Sequence, residues 1–199
     1  MKRLRILFLL MSFSVQLLSA QSEDEPPMEM SNFSVWSQRI DMTQYVGKKY
    51  RLNVSIRAKP ETNDGFAVAF IRNEYAKRSK NGWTFMDNMM NRPVRDSIWK
   101  TYILESTVEK KAPWIGFGML GFGNGTYYFD DLRLYVKTAN EKWIQVAIEN
   151  ANFENGSIDP WQQTQFGVPA KVLGASASIT NDLPFDGLKC FLLRNKFLE

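Results

Sequence analysis

Short runs of alternating apolar and polar residues, separated by turn residues, most constrain the fold of this chain. The segment KYRLNVSIRA places its apolar side chains on one face, and these are Tyr50, Leu52, Val54, Ile56 and Ala58. A period of two predicts a β-strand with one buried face. No segment of twelve or more residues shows a convincing helical period. The sequence therefore predicts an all-β protein.

Similar runs recur along the chain: GFAVAFIR (65–72), WKTYILESTV (99–108), WIGFGML (114–120), TYYFDDLRLYV (126–136), WIQVAI (143–148) and GLKCFLLR (187–194). Turn residues such as Asn-Gly and Asp-Gly pairs separate several of these runs and suit tight hairpins. We expect an antiparallel β-sandwich of the jelly-roll type. The stretch from Arg72 to Pro93 is rich in Lys, Arg and Asn, so it is expected to be a long loop over one face.

The composition excludes several classes of active site. The chain has 199 residues with no histidine and one cysteine, which excludes Ser-His-Asp and Cys-His catalysis, His-containing zinc sites and an internal disulfide. Three of its 25 basic residues lie near the N-terminus, which leaves 22 against 21 acidic residues. A nearly neutral chain gives no reason to expect a nucleic-acid partner.

The first 20 residues have the pattern of a secretory signal peptide. A basic start is followed by the apolar segment Ile6–Leu18 and by Ser19-Ala20, so cleavage is expected after Ala20. The alternative is a membrane anchor, but the apolar run is shorter than the ~20 residues that a span needs. We expect a secreted or periplasmic chain with no membrane span.

The remaining chain divides in one of two ways. Residues 21–31 are acidic and contain two prolines, which predicts a flexible leader. Residues 32–199 then form one jelly-roll domain. The alternative is that 32–138 form one domain and 143–199 begin a second.

Two acidic residues stand out because each precedes a turn or interrupts an apolar strand. If Tyr128 and Leu132 face inward, so does Asp130, and a buried carboxylate needs hydrogen-bond donors or a cation. Calcium suits carboxylate oxygens. Capping by backbone amides is the alternative. Glu154 follows Phe153 and precedes an Asn-Gly turn, so the two acids could meet at one edge of a sheet.

Several motifs resemble a known family. The body of such a domain is matched by GKKYRLNVSIRA, IWKTYILESTV and GTYYFDDLRL, and its opening by NANFENGSIDPW followed by PFDGLKCFLLR. These motifs resemble the galactose-binding-like jelly rolls of carbohydrate-binding modules. The passage DNMMNRPVRDSIWKTY is similar to jelly-roll modules of secreted bacterial tail-specific serine peptidases. The closing motif precedes the opening motif here, so the chain is either a circularly permuted jelly roll or a piece of a tandem array.

The resemblance implies both a metal site and a ligand surface. In that family a structural calcium commonly joins the positions of Glu154 and Asp130. Sugar binding relies on exposed aromatic rings that stack on C–H groups, and the candidates are Trp83, Phe85, Trp114 and Tyr127. Core or loop packing is the alternative for each ring. Trp83 is favoured because its neighbours are polar.

We expect a non-catalytic module with a glycan or cell-surface polysaccharide as partner. The alternative function is an accessory or protein-interaction module of a larger secreted hydrolase or peptidase. In WIGFGML, Gly116 and Gly118 leave one strand face bare. A bare face admits either a flat ligand or close packing by a neighbouring strand.

Overall fold

A computed structural model describes residues 32–77, 82–165, 168–169 and 171–198. The predicted signal peptide (1–20) and leader (21–31) lie outside the described residues. The strands, in chain order, are β1 (Phe33–Asp41), β2 (Lys49–Pro60), β3 (Phe66–Glu74), β4 (Trp83–Asp87), β5 (Lys100–Thr107), β6 (Trp114–Phe122), β7 (Gly125–Lys137), β8 (Trp143–Val146), β9 (Gln162–Gln165), β10 (Val168–Pro169), β11 (Ala175–Thr180) and β12 (Cys190–Asn195). A 3-10 turn covers Thr43–Tyr45. Within the described ranges, no helix has the length and apolar character needed to cross a membrane.

Two antiparallel sheets form the molecule. The first sheet has the strand order β10-β9-β1-β6-β3-β4, and the second has the order β11-β12-β7-β2-β5, with β8 paired to β7. The two sheets pack as a sandwich, which confirms the predicted all-β antiparallel class. Each run of alternating residues named above contributes a strand. That the connections represent a permuted jelly roll stays a prediction.

The core lies between the sheets and includes aromatic residues from the whole described chain. The Phe117 and Trp161 rings are 5.8 Å apart between centroids, and the Phe153 and Phe191 rings are 5.3 Å apart. All four residues belong to one cluster of buried side chains. The late strands also pair with early ones, since β9 pairs with β1 and β12 with β7. Whether 32–199 form one jelly-roll domain, or 32–138 one domain and 143–199 the start of a second, stays a prediction.

A bulge divides β7 into two parts with opposite alternation. Before it, Phe129 faces the core, and after it Leu132 does so. Asp131 has a φ of 50° at this point, and the pairing of β7 with β2 shifts there. The extra residue turns Asp130 away from the core that contains Leu132. The expectation that Asp130 shares the face of Leu132 is therefore wrong, although its side chain is fully buried.

Part of the segment predicted as a loop over 72–93 is a strand. β4 pairs with β3 and forms the edge of the first sheet. An edge strand is paired on one side only and tolerates polar residues, so its alternation is weak in the sequence. The short strands β9, β10 and β11 were also not expected, because their residues are mostly small or polar.

Candidate functional site

The face of the first sheet that points away from the core brings arginine and tryptophan side chains together. In the pairing of β1, β6 and β3, Gly116 lies between Arg39 and Arg72. The next row contains Trp114 of β6 and Glu74 of β3. Because residues in one row of a sheet point to the same side, these groups lie on one surface. We call it the outer face of the first sheet.

Two arginines share one carboxylate at this position. Arg72 Nε donates to Glu74 Oε1 at 2.6 Å, and Arg39 Nε lies 3.4 Å from Glu74 Oε2. The side chains of Arg72 and Glu74 are only 8% and 7% exposed. A Cβ at Gly116 would collide with the Glu74 carboxylate. The missing side chain at Gly116 therefore provides the space in which the carboxylate lies.

Tryptophan rings flank the ion pairs on both sides. The Arg39 guanidinium carbon lies 4.2 Å from the Trp114 ring centroid, and that of Arg72 lies 5.2 Å from the Trp83 ring centroid. Such contacts hold each guanidinium flat against an aromatic ring. Both tryptophans are half-buried. We call these five residues, with Glu74 at their centre, the arginine–tryptophan cluster.

The two arginines differ in how many of their donors are used. Arg39 Nη2 donates to the carbonyl oxygens of Tyr75 and Ala76 at 3.1 and 3.2 Å, so it also holds the start of the β3–β4 connection. For Arg72, the contact from Nε to Glu74 is the one hydrogen bond made with the described residues. Its Nη1 and Nη2 atoms therefore keep their donors for a ligand or for water.

Stacked phenylalanine rings lie at the other end of the same face. The Phe66 and Phe122 rings stack with their centroids 4.5 Å apart, and Phe33 stacks on Phe122 at 5.3 Å. The Arg95 guanidinium carbon lies 5.0 Å from the Phe66 ring centroid. The outer face of the first sheet thus has aromatic residues at both ends and arginines against them.

Two of the four predicted aromatic residues meet on this surface. Trp83 and Trp114 lie on either side of Glu74 in the strand pairing. Phe85 instead lies opposite Asn73 and packs against the edge of the core. It also lines an open pocket of about 430 Å³ formed by the end of β4 and the segment after it.

Tyr127 lies inside the molecule. Its side chain is fully buried, and its hydroxyl donates to the carbonyl oxygen of Phe122. Burial raises the pKa of this hydroxyl well above its ordinary value. Tyr127 therefore contributes to the core and not to an exposed sugar-binding surface.

Neighbouring side chains fill the bare strand face at the two glycines. A Cβ at Gly118 would collide with the Phe70 ring and with the Trp36 carbonyl oxygen. At Gly116 the Glu74 carboxylate takes the space. Close packing, the alternative reading of these glycines, is what the structure contains.

Backbone amides surround the two predicted calcium ligands. Asp130 Oδ2 accepts hydrogen bonds from the amides of Phe185 and Asp186 at 2.9 and 3.1 Å. Glu154 Oε1 accepts from the amides of Leu188 and Lys189 at 2.8 and 3.0 Å. Both carboxylates therefore hold the loop 181–189, which connects β11 to β12.

This donor arrangement does not fit calcium as it stands. Calcium takes six to eight oxygen ligands, whereas the bonded oxygens of Asp130 and Glu154 already face N–H donors. The described residues also contain no group of three or more Asp, Glu, His or Cys side chains that could hold a metal. The geometry agrees with the alternative of amide capping, and the calcium site stays a prediction.

The loop 181–189 is also held through Arg57. This arginine is 2% exposed, donates to the Asp182 carbonyl oxygen and stacks over the Tyr128 ring at 3.8 Å. The Tyr128 hydroxyl donates to Asp182 Oδ2 at 2.8 Å, which lowers the pKa of that carboxyl. Burial raises the pKa of the Cys190 thiol, at the start of β12, to about 12.

Sequence reasoning missed Arg39, Arg72 and Glu74. The spacing of Arg72 and Glu74 places both on the face of β3 that carries Phe70, and this signal was present in the run GFAVAFIRNE. Arg39 joins them only through the pairing of β1 with β6. The pattern of residues within one segment does not show which strand, more than 30 residues away, will pair with it.

The comparisons with known proteins give no relative to set beside this site. The chain matches no protein-family model, no curated protein and no solved structure. The likeness to galactose-binding-like modules therefore rests on the short motifs alone. What the chain is shown to be is an antiparallel β-sandwich with an arginine–tryptophan cluster on the outer face of its first sheet.

Proposed function

We propose that this chain is a non-catalytic module of an exported protein and that it binds carbohydrate on the outer face of its first sheet. The observation that carries the proposal is the position of Trp83 and Trp114 on either side of Glu74. Aromatic rings stack on the C–H faces of sugars, and nearby charged groups orient the hydroxyls. Arg72 and Glu74 provide such groups between the rings.

The positions of the polar groups support this function. A sugar lying between the tryptophans would meet the donors of Arg72 and the carboxylate of Glu74 at one place. The cluster is held by ion pairs and ring contacts before a ligand arrives, which lowers the entropy cost of binding. Because the site belongs to a sheet, its backbone is better fixed than that of a loop.

A pull-down with insoluble polysaccharides, followed by a glycan array, tests this proposal. We expect Trp83→Ala to lose most of the binding of residues 21–199, because stacking on one ring contributes a large part of the contact. Trp143→Ala is the matched control: Trp143 is a half-buried tryptophan of β8 with Arg51 3.8 Å above its ring, in the second sheet. Equal loss in both variants, or no binding by the folded parent chain, would contradict the proposal.

A second function is favoured by exposed apolar side chains around Trp99, just before β5 of the second sheet. Leu183 and Phe185 are 70% and 42% exposed and both contact Trp99, whose Nε1 donates to the Leu183 carbonyl oxygen and whose ring centroid lies 5.9 Å from that of Phe185. Ile98, next to Trp99 in the chain, is 68% exposed. Exposed apolar side chains that cluster in this way are typical of protein-interaction surfaces. This supports the alternative of an accessory module that docks onto a larger secreted enzyme.

A further inference from the structure

We infer that the carbohydrate bound at the arginine–tryptophan cluster is an acidic one, whose carboxylate pairs with the Nη1 and Nη2 atoms of Arg72. The inference rests on the proposed carbohydrate-binding function and names the class of sugar. Three observations carry it: the burial of Arg72, the N–H donors of its terminal nitrogens that no atom of the described residues uses, and the flanking rings.

Arg72 is fixed before a ligand binds. It is 6% exposed, its Nε is bonded to Glu74, and its guanidinium carbon lies 5.2 Å from both the Phe70 and the Trp83 ring centroids. A guanidinium held in this way loses little freedom when it binds. Its orientation is therefore set by the protein and not by the ligand.

The two terminal nitrogens of Arg72, Nη1 and Nη2, carry N–H donors that point the same way from one planar group. With Nε used by Glu74, the terminal nitrogens make no hydrogen bond to the described part of the chain. They are also not among the buried polar atoms without a partner, so they keep access to solvent. A planar pair of N–H donors matches the two oxygens of a carboxylate, whereas a sugar hydroxyl would use only one of them.

The rings select a sugar acid among possible anions. Trp83 and Trp114 lie in the same row as Glu74 and next to the arginines. A uronic acid presents an apolar C–H face and a carboxylate on one ring, so a single residue of the glycan could contact Trp83 and Arg72 together. A free acidic peptide has no such rigid face, so an acidic peptide is the competing ligand that the experiment must include.

The experiment compares two forms of one polysaccharide with the full chain. De-esterified polygalacturonate and its fully methyl-esterified form have the same sugar and differ only in the carboxylate. We expect the acid form to bind at least about tenfold more tightly, as one bidentate charged pair predicts. Poly-glutamate at the same carboxylate concentration should compete poorly.

Variants of two arginines locate the effect. Arg72→Lys keeps the charge but loses the paired donors. The ratio of the affinities for the acid and the methyl-esterified polysaccharide should therefore fall toward one. Arg51→Lys is the matched control, because Arg51 also stacks on a tryptophan and pairs with a glutamate, at 3.0 Å, on the second sheet. It should leave the preference unchanged.

The outcomes separate the inference from the proposed function. Equal binding of both polygalacturonate forms, or equal competition by poly-glutamate, overturns the acidic-sugar inference while carbohydrate binding stands. Binding of neither form, together with no binding of neutral glycans, overturns both. If Arg72→Lys does not fold, the binding of the two polysaccharides by the parent chain still tests the acidic-sugar inference.

Discussion

Asp130 carries a buried carboxylate whose protonation the fold controls. Its side chain is fully buried, and burial raises its pKa to about 6, although the amides of Asp131, Phe185 and Asp186 act in the opposite direction. The chain has no histidine, so no other side chain has an ordinary pKa near neutrality. A stability change between pH 5 and pH 7 would therefore report on this residue.

We expect the stability of the protein to fall as the pH rises from 5 to 7. The pKa of Asp130 is higher in the folded chain than the ordinary value of 3.8, so the folded state binds the proton more tightly. Its stabilising contribution is complete below the ordinary pKa and is lost as the pH rises through about 6. Linkage predicts a loss of about 1 kcal/mol between pH 5 and pH 7. Urea unfolding at several pH values measures it.

Asp130→Asn is the control for this pH dependence. The amide oxygen of Asn can still accept from the backbone of the loop 181–189, but the side chain no longer titrates. The variant should show a flat stability curve from pH 5 to pH 7. A curve that keeps the slope of the parent chain would show that another group is responsible.

At the scale of elements, the loop 181–189 and its two carboxylates behave as one unit. Asp130 holds the loop at Phe185 and Asp186, and Glu154 holds it at Leu188 and Lys189. These contacts tie β12 to β7 and to the turn after Phe153. The loop is thus fixed by charge-assisted hydrogen bonds, which are stronger than neutral ones.

The two readings of Glu154 predict different responses to calcium. If Glu154 caps amides, Glu154→Ala should lower the melting temperature by the equivalent of about 1–3 kcal/mol, because Leu188 and Lys189 lose their acceptor. That loss should be the same in calcium and in a chelator. A parent chain that melts at a higher temperature in calcium, with a smaller difference in the variant, would establish the predicted metal site.

Alternation in the sequence predicted seven of the twelve described strands, but not β1, β4, β9, β10 and β11, and not the contacts between strands. Segments such as Tyr50–Ala58 gave the β-sandwich, because each strand buries one face regardless of its partners. The bulge at Asp131 was beyond this reasoning, since one extra residue reverses the alternation without a distinctive residue type. The cluster around Glu74 was missed because it depends on the register of three strands.

At the scale of the whole molecule, the first and last thirds of the chain depend on each other. Trp36 packs against Phe191 with ring centroids 6.2 Å apart, and Ser34 donates to Asn195 at 2.6 Å. Such contacts join β1 to β12 across the two sheets. The buried side chains of β1 and of β12 would each be exposed to solvent if the other strand were removed.

A chain that ends at residue 138 should therefore fail to fold. Removing 139–199 takes Phe153, Trp161 and Phe191 out of the core and leaves β7 without its partner β12. Unpaired strand edges and an open core favour aggregation. Circular dichroism and analytical size exclusion of residues 32–138 measure this. A monomeric fragment with cooperative unfolding would instead favour the alternative of two domains.

The single cysteine, Cys190, can form a disulfide with a second chain only after part of the fold has opened. Cys190 is fully buried opposite Thr180, and burial keeps its thiol protonated. In an oxidising medium a folded molecule therefore cannot join a second copy through a disulfide. Only a molecule whose β11–β12 edge has opened exposes the sulfur, and a disulfide to a second chain then keeps that edge from closing again. The fraction of covalent dimer in a stored sample would therefore measure how often this edge has opened.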